Sequence, residues 1–446
     1  MRYIANTAEQ REQLLKDIGV SSFEELTGTI PAGVRWKGVL DIPGPLPEME
    51  LQNHIRALAG KNADFTVLKP LVGAGAYKHF IPRAVPALLS REEFYTAYTP
   101  YQPEMSQGTL QAMFEFQTFL SRLTGMEVII PSMYDGGSAV AEAVLMALRI
   151  TRKNRIIVSA CLHPHYRAVI DTYTVPHETE IIELPSKEGR VDGAVLKELL
   201  DDDTAAVIIQ SPNFLGGIED ISVLAEITHS RSALFIQAVA ESISLGLLKP
   251  PGEMEADIVA GEAQSLGLDL NFGGPYNGYL GTRKKYLRQL PGRIVGETVD
   301  RDGKRAFVMT SRAREQDIRR EKATSCICSN HGLQIIASDI YLSLMGTEGL
   351  YRTALFNTRA AHYLEEHLVA TGSFERIYDY PFFNEFLLRS VRPIQEIGEL
   401  FLKNGFIPPL SAGVFLGDDQ LENAALFAVT EIFNREELDR VAEILT

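Results

Sequence analysis

The chain has 446 residues, 45% of them hydrophobic and 23% charged, with a formal net charge of −15. That length holds a large domain and at least one smaller one, and the proportions are those of a soluble globular protein. The acidic balance argues against nucleic acid or an anionic membrane as the main partner, and no apolar run approaches the ~20 residues of a membrane span. Three cysteines (Cys161, Cys326 and Cys328) are too few for a disulfide framework. The opening from Met1 turns polar and helical at once, with no signal-peptide core, so a cytoplasmic location is expected.

Residues 1–65 read as an arm of short helices. Ser22 and Glu25 have the spacing of a capping box, and the helical run Met49 to Ala59 is stopped by Gly60. The proline- and glycine-rich connection from Gly33 to Pro47 cannot be one regular element. An arm of this kind wraps a neighbouring subunit or its own large domain.

From Ser106 the pattern becomes regular. A helix begins there with Leu110, Met113, Phe114 and Leu120 on one face, and Gly125 ends it. Strands are expected at 128–130, 155–159, 180–184, 205–210, 234–237 and 257–260. Helices fall between them at 137–150, 165–173, 193–200 and 221–229. This alternation gives an α/β fold with a mostly parallel sheet covered on both faces. A basic stretch, Arg312 to Lys322, leads into helices at 332–345 and 348–368. Shorter pieces follow: strands at 374–378, 386–389 and 424–430, a helix at 393–404 and a last helix from Arg435. The chain therefore divides into an arm (1–65), a large α/β domain (66–330) and a smaller C-terminal α+β domain (331–446).

Several motifs invite chemistry. Gly73-Ala74-Gly75-Ala76-Tyr77-Lys78 looks like a dinucleotide loop, but lysine replaces the third glycine and Ile81-Pro82 interrupts the helix that should follow. Cys326, Cys328 and His331 lack zinc-ligand spacing, and a packed cysteine pair is the simpler reading. The Gly136-Gly137 turn, between a strand and a helix, is either a phosphate cup or a plain βα turn. His163 follows a strand's end, where it could stack on a cofactor ring, move protons, or make one local hydrogen bond. Tyr95, Tyr98, Tyr101 and Gln102 lie in a proline-bound loop, expected to be non-helical, that lines an interface or pocket or simply packs.

The stretch Ala256 to Gly281 is the most telling. A strand, a polar loop and the turn Gly273-Gly274-Pro275 form the layout of enzymes that tether pyridoxal phosphate, yet the stretch holds no lysine. Schiff-base chemistry needs that amine. Gln237 stands where an acid should face the pyridine nitrogen, and a neutral amide cannot keep that nitrogen protonated. The nearest amines, Lys284 and Lys285, follow a turn at Gly281 and begin a basic, surface-like helix.

Four blocks resemble the glycine dehydrogenase (decarboxylating) family, the P-protein of the glycine cleavage system, in its alpha-subunit (subunit 1) form. They are Gly73 to Tyr77 with Ile81-Pro82; Tyr98-Thr99-Pro100-Tyr101-Gln102-Pro103-Glu104 with Ser106-Gln107-Gly108; Gln264-Ser265 through Pro275; and Arg314 to Ser325. The resemblance implies the PLP-dependent transferase fold type I and a homologous, lysine-bearing beta subunit that holds pyridoxal 5'-phosphate. It further implies an α2β2 complex that decarboxylates glycine, releases CO2 and passes the aminomethyl group to the lipoyl arm of H-protein. This chain would then supply no catalytic lysine, no cofactor-binding residue and no metal ligand. His163 would be a remnant of the stacking position. Tyr95, Tyr98, Tyr101 and Gln102 would lie near the partner's cofactor mouth. The competing expectations are a catalytically inert structural or regulatory subunit, and a self-sufficient pyridoxal phosphate enzyme of the cysteine desulfurase or amino-acid decarboxylase kind.

Overall fold

Runs rich in valine, isoleucine and alanine become the strands of one seven-stranded sheet in the computed structural model. It describes residues 6–445 except 37, 66, 99, 311–319, 321–322 and 324–330. The strands are β1 (Val128–Met133), β2 (Arg155–Ser159), β3 (Glu180–Leu184), β4 (Thr204–Gln210), β5 (Leu234–Val239), β6 (Ile258–Glu262) and β7 (Gly278–Thr282). Their order is β1-β7-β6-β5-β4-β2-β3, and only β7 runs antiparallel to its neighbours. Every residue of β4, β5 and β6 is buried, because helices cover both faces of a parallel sheet.

The helices that matter for the site start at the carboxyl edge of the strands. They are α1 (Gln107–Thr124), α2 (Gly136–Thr151), α3 (Pro164–Thr174), α4 (Gly193–Leu199), α5 (Ile221–His229) and α6 (Gly332–Ala370). On α1 the buried phenylalanine is Phe116, not Phe114; Phe114 instead packs against Phe307 with ring centroids 5.3 Å apart. Small residues on α2 (Ala139, Ala141, Ala143 and Ala147) are fully buried, which lets its backbone lie close to the sheet. The element α6 breaks at Gly346 (φ 58°, ψ −175°), so it is two consecutive helices, as the pattern indicates.

Two features depart from expectation. Residues 278–282 form strand β7, so Gly281 lies inside a strand and not in a turn, and Lys284–Gln289 is a 3-10 helix. The glycines that hide this strand are steric necessities: a Cβ on Gly278 would sit 2.2 Å from Asp135 O, and one on Gly281 2.6 Å from Ile129 Cδ1. A hairpin, β8 (Ile294–Val299) with β9 (Arg305–Thr310), is likewise unsignalled. Two glutamines of α1 clasp it. Gln107 Oε1 accepts from Phe307 N (2.8 Å) while its Nε2 donates to Phe307 O (2.9 Å). Gln117 repeats the arrangement on Val295, at 2.8 and 3.0 Å.

Residues Met1–Ala63 form a separate unit from Asp64–Thr446. The arm's helices, Ala8–Ile18, Phe23–Leu26 and Glu48–Ala59, contain no buried residue. Its capping box is Thr7 with Gln10; Ser22 makes no side-chain cap, because Glu25 turns instead to Ser21 N at 3.0 Å. At the other end of the chain, a four-stranded antiparallel sheet (Phe374–Arg376, Glu385–Ser390, Ala424–Ala428 and Leu410–Ser411) packs on a core rich in phenylalanine, including Phe386, Phe401 and Phe427.

Gln117→Leu would strip both hydrogen-bonding partners from Val295, which is buried. The expected loss is about 2–4 kcal/mol, read as a lower thermal midpoint, with Gln117→Glu intermediate because it keeps the acceptor alone. A Leu variant that melts with the native chain would show that the clasp contributes nothing.

Candidate functional site

The end of β6 meets the start of α2 at the carboxyl edge of the sheet. There the carboxylate of Glu262, last residue of β6, accepts N–H bonds from three separate places: Gly136 (2.9 Å), Gln264 (3.0 Å) and Asn277 (3.2 Å). Gly136 is the first residue of α2, so Glu262 occupies the position where a helix start would hold an anion. Asp135 caps the same helix by accepting from Ser138 N at 2.7 Å. Burial raises Glu262 to about 7, against the opposing pull of the Gly136 and Asn277 N–H groups. The Tyr166 hydroxyl also lies over this helix start, where a Cβ on Gly136 would meet it at 2.2 Å.

His163 is the N-cap of α3 and is buried. Its Nδ1 accepts from His165 N (3.1 Å), which leaves Nε2 to donate to Ala74 O (2.9 Å). Burial lowers its pKa to about 4. A neutral ring with both nitrogens engaged is not a proton shuttle near neutrality. The ring stacks on Tyr166, with centroids 4.8 Å apart and planes 20° apart, and meets Phe214 edge-on at 5.1 Å. Gly75 (φ +94°) lies against the Cδ2–Nε2 edge of the ring, where a Cβ would come within 2.5 Å of Cδ2. The ring that stacks on this histidine is a tyrosine of the same chain.

Pyridoxal phosphate would need N–H groups for its phosphate, an amine for its aldehyde and an acid for its ring nitrogen. Glu262 takes the first. The loop 263–277 between β6 and β7 offers no lysine for the second. The third is Gln237, buried in β5, whose Oε1 has no hydrogen-bond partner among the described residues. A phosphate there would have to displace Glu262 from the Gly136 N–H, and would meet a like charge wherever that carboxyl is ionised. The residues present do not fit this group.

The segment Gly73 to Phe80 borders the same place and is held from both sides. Tyr77 N donates to Gln264 Oε1 (2.9 Å), and Gln264 Nε2 donates to Tyr77 O (3.0 Å) and Leu268 O (2.8 Å). From the C-terminal sheet, Glu385 accepts from Ala74 N (2.6 Å) and from the Tyr77 hydroxyl (2.8 Å). Burial raises Glu385 to about 7. His79 is buried between Glu241 at Nε2 and Glu431 at Nδ1, each 2.9 Å away. Burial alone would lower its pKa, but the two carboxylates outweigh that and raise it to about 10. No sequence signal marked His79, Glu262 or Glu385, because each acquires its partner only through the fold.

The tyrosine segment divides from His163. Tyr95 and Tyr98 are 68% and 74% exposed, whereas His163 is 6% exposed. Gln102 is exposed, and the Arg293 guanidinium lies 4.6 Å from the Tyr101 ring. The expectation of a wholly non-helical loop is corrected by a single helical turn, Glu92–Tyr95. Its two glutamates complement the helix start, and the first proline comes only at Pro100. The loop's end is fixed by Gln107 Nε2, which donates to Pro103 O at 2.7 Å. Cys326, Cys328 and the block Arg314 to Ser325, apart from Arg320 and Ala323, lie outside the described residues. His331 is described, and donates from Nδ1 to Tyr276 O at 2.8 Å.

This sheet, with its helix start at the carboxyl edge and the long loop after β6, defines fold type I of the pyridoxal phosphate enzymes. Glutamate decarboxylase of Lactobacillus brevis shares that fold, with a TM-score of 0.70 at 12% identity over 95% of this chain and 96% of the other. The crystal structure of glycine decarboxylase (P-protein) of the glycine cleavage system, in inhibitor-bound form, gives a TM-score of 0.91 at 41% identity, covering 100% of this chain and 99% of that one. The profile of the glycine cleavage system P-protein family matches residues 1–445. Probable glycine dehydrogenase (decarboxylating) subunit 1 of Moorella thermoacetica is 48% identical over 439 residues, 98% of either chain. The chain belongs to the glycine cleavage system P-protein family. Among the described residues no helix is long and apolar enough to cross a membrane.

The buried groups set a pH dependence. His79 holds its proton more tightly in the fold, so its contribution is complete below 6.5 and is lost as pH rises through about 10. Glu262 and Glu385, raised from 4.5 to about 7, favour the fold below 4.5 and lose that contribution as pH rises to about 7. The thermal midpoint is expected to fall in two stages toward alkaline pH. His79→Gln should abolish the upper stage and, by leaving Glu241 buried without its cation, cost about 3–5 kcal/mol near neutrality. An unchanged alkaline limb in that variant would remove His79 from the account.

Proposed function

We propose that this chain is the subunit of a heteromeric glycine decarboxylase that bears no cofactor lysine. Its homologous, lysine-bearing partner holds pyridoxal 5'-phosphate, and two copies of each chain form a cytoplasmic α2β2 complex. The complex decarboxylates glycine, releases CO2 and transfers the aminomethyl group to the lipoyl arm of H-protein. The division into an arm (1–65), a large domain (66–330) and a smaller C-terminal domain (331–446) belongs to the same reading. One observation carries it: the N–H of the helix start at Gly136, a group able to hold a phosphate, is taken by the chain's own Glu262, and the loop 263–277 that follows has no amine. The subunit 1 designation of the relatives supports both the activity and a second chain.

What this chain contributes is surface. Tyr95, Tyr98, Tyr101 and Gln102 stand on a loop that begins at the helical turn Glu92–Tyr95 and is tied down at its far end by Gln107. A loop fixed in this way can present hydroxyls to a carboxylate across an interface with little loss of conformational freedom. These residues line the partner's cofactor mouth and orient glycine or the lipoyl arm. His163 keeps a structural role only.

Borohydride reduction of the isolated chain, as purified and free of added pyridoxal phosphate, should leave no stoichiometric pyridoxyl group on one of its lysines, whereas the assembled complex should be labelled on the partner alone. Label recovered on this chain would sink the reading. In the complex, Tyr98→Phe combined with Tyr101→Phe should lower glycine decarboxylation about tenfold while the two subunits still co-purify. Unchanged turnover would instead favour an inert, merely stabilising subunit.

A further inference from the structure

The hairpin β8–β9 stands outside the main sheet, yet it reaches one residue of the tyrosine loop. Just before β8 comes Arg293, half-buried, whose guanidinium lies 4.6 Å from the centroid of the Tyr101 ring. That is contact distance for a cation against an aromatic face. The base that carries Arg293 is itself pinned to α1. Gln117 clasps Val295, and Phe307 of the opposite strand packs on Phe114 with ring centroids 5.3 Å apart. On the loop side, Met105 N donates to Gln102 O (3.1 Å) and Ser106 N to Pro103 O (3.2 Å), and Gln107 holds Pro103 O as well. Tyr101 is the least exposed of the three tyrosines, 37% against 68% for Tyr95 and 74% for Tyr98. Its ring is therefore set by α1 and the hairpin together.

We propose that Arg293 is a positioning residue for the glycine reaction: its guanidinium holds the Tyr101 ring so that the phenol is aimed at the carboxylate of glycine in the partner's site. This role rests on the assignment of the tyrosine loop to the partner's cofactor mouth, and it narrows that assignment, which left glycine and the lipoyl arm as alternatives. Charge decides between them. A guanidinium keeps its proton throughout the working range of pH. A fixed positive charge beside a phenol favours donation of its O–H to an anion. Glycine offers a carboxylate, whereas the lipoyl arm ends in an uncharged disulfide ring. Holding the aromatic ring before substrate arrives also spares the rotamer freedom that binding would otherwise take away.

The test uses the assembled complex and the exchange of glycine's carboxyl group with bicarbonate in the presence of lipoylated H-protein, with glycine and H-protein varied separately. Arg293→Met, which keeps bulk and loses the charge, should raise KM for glycine about fivefold or more, while kcat and the KM for H-protein stay within about twofold. Arg293→Lys, which keeps the charge and loses the planar stack, should fall between. In a Tyr101→Phe background the methionine substitution should add nothing, because no hydroxyl is left to aim. A merely structural role would lower kcat or raise both KM values together, and two residues acting apart would give effects that multiply; either result overturns the proposal. A native KM for glycine in Arg293→Met does so too. If Tyr101→Phe alone still raises that KM, the tyrosine loop keeps its role without Arg293, and if it does not, both assignments fall. Should Arg293→Met not assemble with the partner, Arg293→Gln is measured on the same criteria, and failure of both to assemble assigns Arg293 to folding and refutes the positioning role.

Discussion

A buried imidazolium between two carboxylates fixes the geometry of the whole carboxyl edge. His79 reaches Glu241, which follows strand β5 of the main sheet, and Glu431, which follows a strand of the C-terminal sheet. Such a group is costly to desolvate and is tolerated only where every remaining lone pair finds a donor. Here Glu241 also accepts from Ile243 N and Glu431 from Phe80 N. Two residues upstream, Tyr77 repeats the logic with Glu385 on one side and Gln264 on the other. The segment from Gly73 to Phe80 is thus the seam between the two sheets, and the helix Ala84–Leu89 separates it from the tyrosine loop.

Three glutamines extend the same economy. Gln107 on Phe307, Gln117 on Val295 and Gln264 on Tyr77 each bond both the N–H and the C=O of one backbone residue. A planar amide offers a donor and an acceptor side by side, so it imitates a strand neighbour without the desolvation cost of a charge. The hairpin β8–β9 and the seam are therefore held in place without joining the main sheet. The C-terminal end of the tyrosine loop rests on such a clasp, at Gln107.

The regular part of this architecture was legible from hydrophobic period alone. Strands β2 and β3 fall at the expected residues, and β4 to β6 differ only at their ends, because apolar runs between amphipathic helices have few other solutions. Strand β7 was not legible, since close packing demands glycine at 278 and 281 and so erases the β-branched signature. The hairpin was hidden for another reason: its hold on α1 comes from glutamines that read as ordinary polar residues of a helix. At the site, the missing lysine and Gln237 could be read directly, because they are absences at fixed offsets in a known layout. What fills the space could not. Glu262 looks like any polar residue at a strand end until β7 and α2 bring Asn277 and Gly136 to it. Tyr166 looks like a helix residue until the turn at His163 folds that ring over it.

The seat that Glu262 fills also explains why loss of a lysine would be insufficient to make a stable subunit of this kind. In a cofactor-binding chain, convergent N–H groups are satisfied by the ligand's phosphate, and each one left buried without a partner costs about 1–3 kcal/mol. Deleting only the amine would leave those donors dependent on an anion no longer covalently retained. A carboxylate on the chain removes that dependence, because its effective concentration at the seat does not vary with supply. The aromatic stack does the same for the apolar volume beside it, where an unfilled space would forfeit dispersion contacts on every wall. Side chains that complete this pocket thus serve folding first. The N–H groups and the apolar volume are thereby satisfied from within the chain.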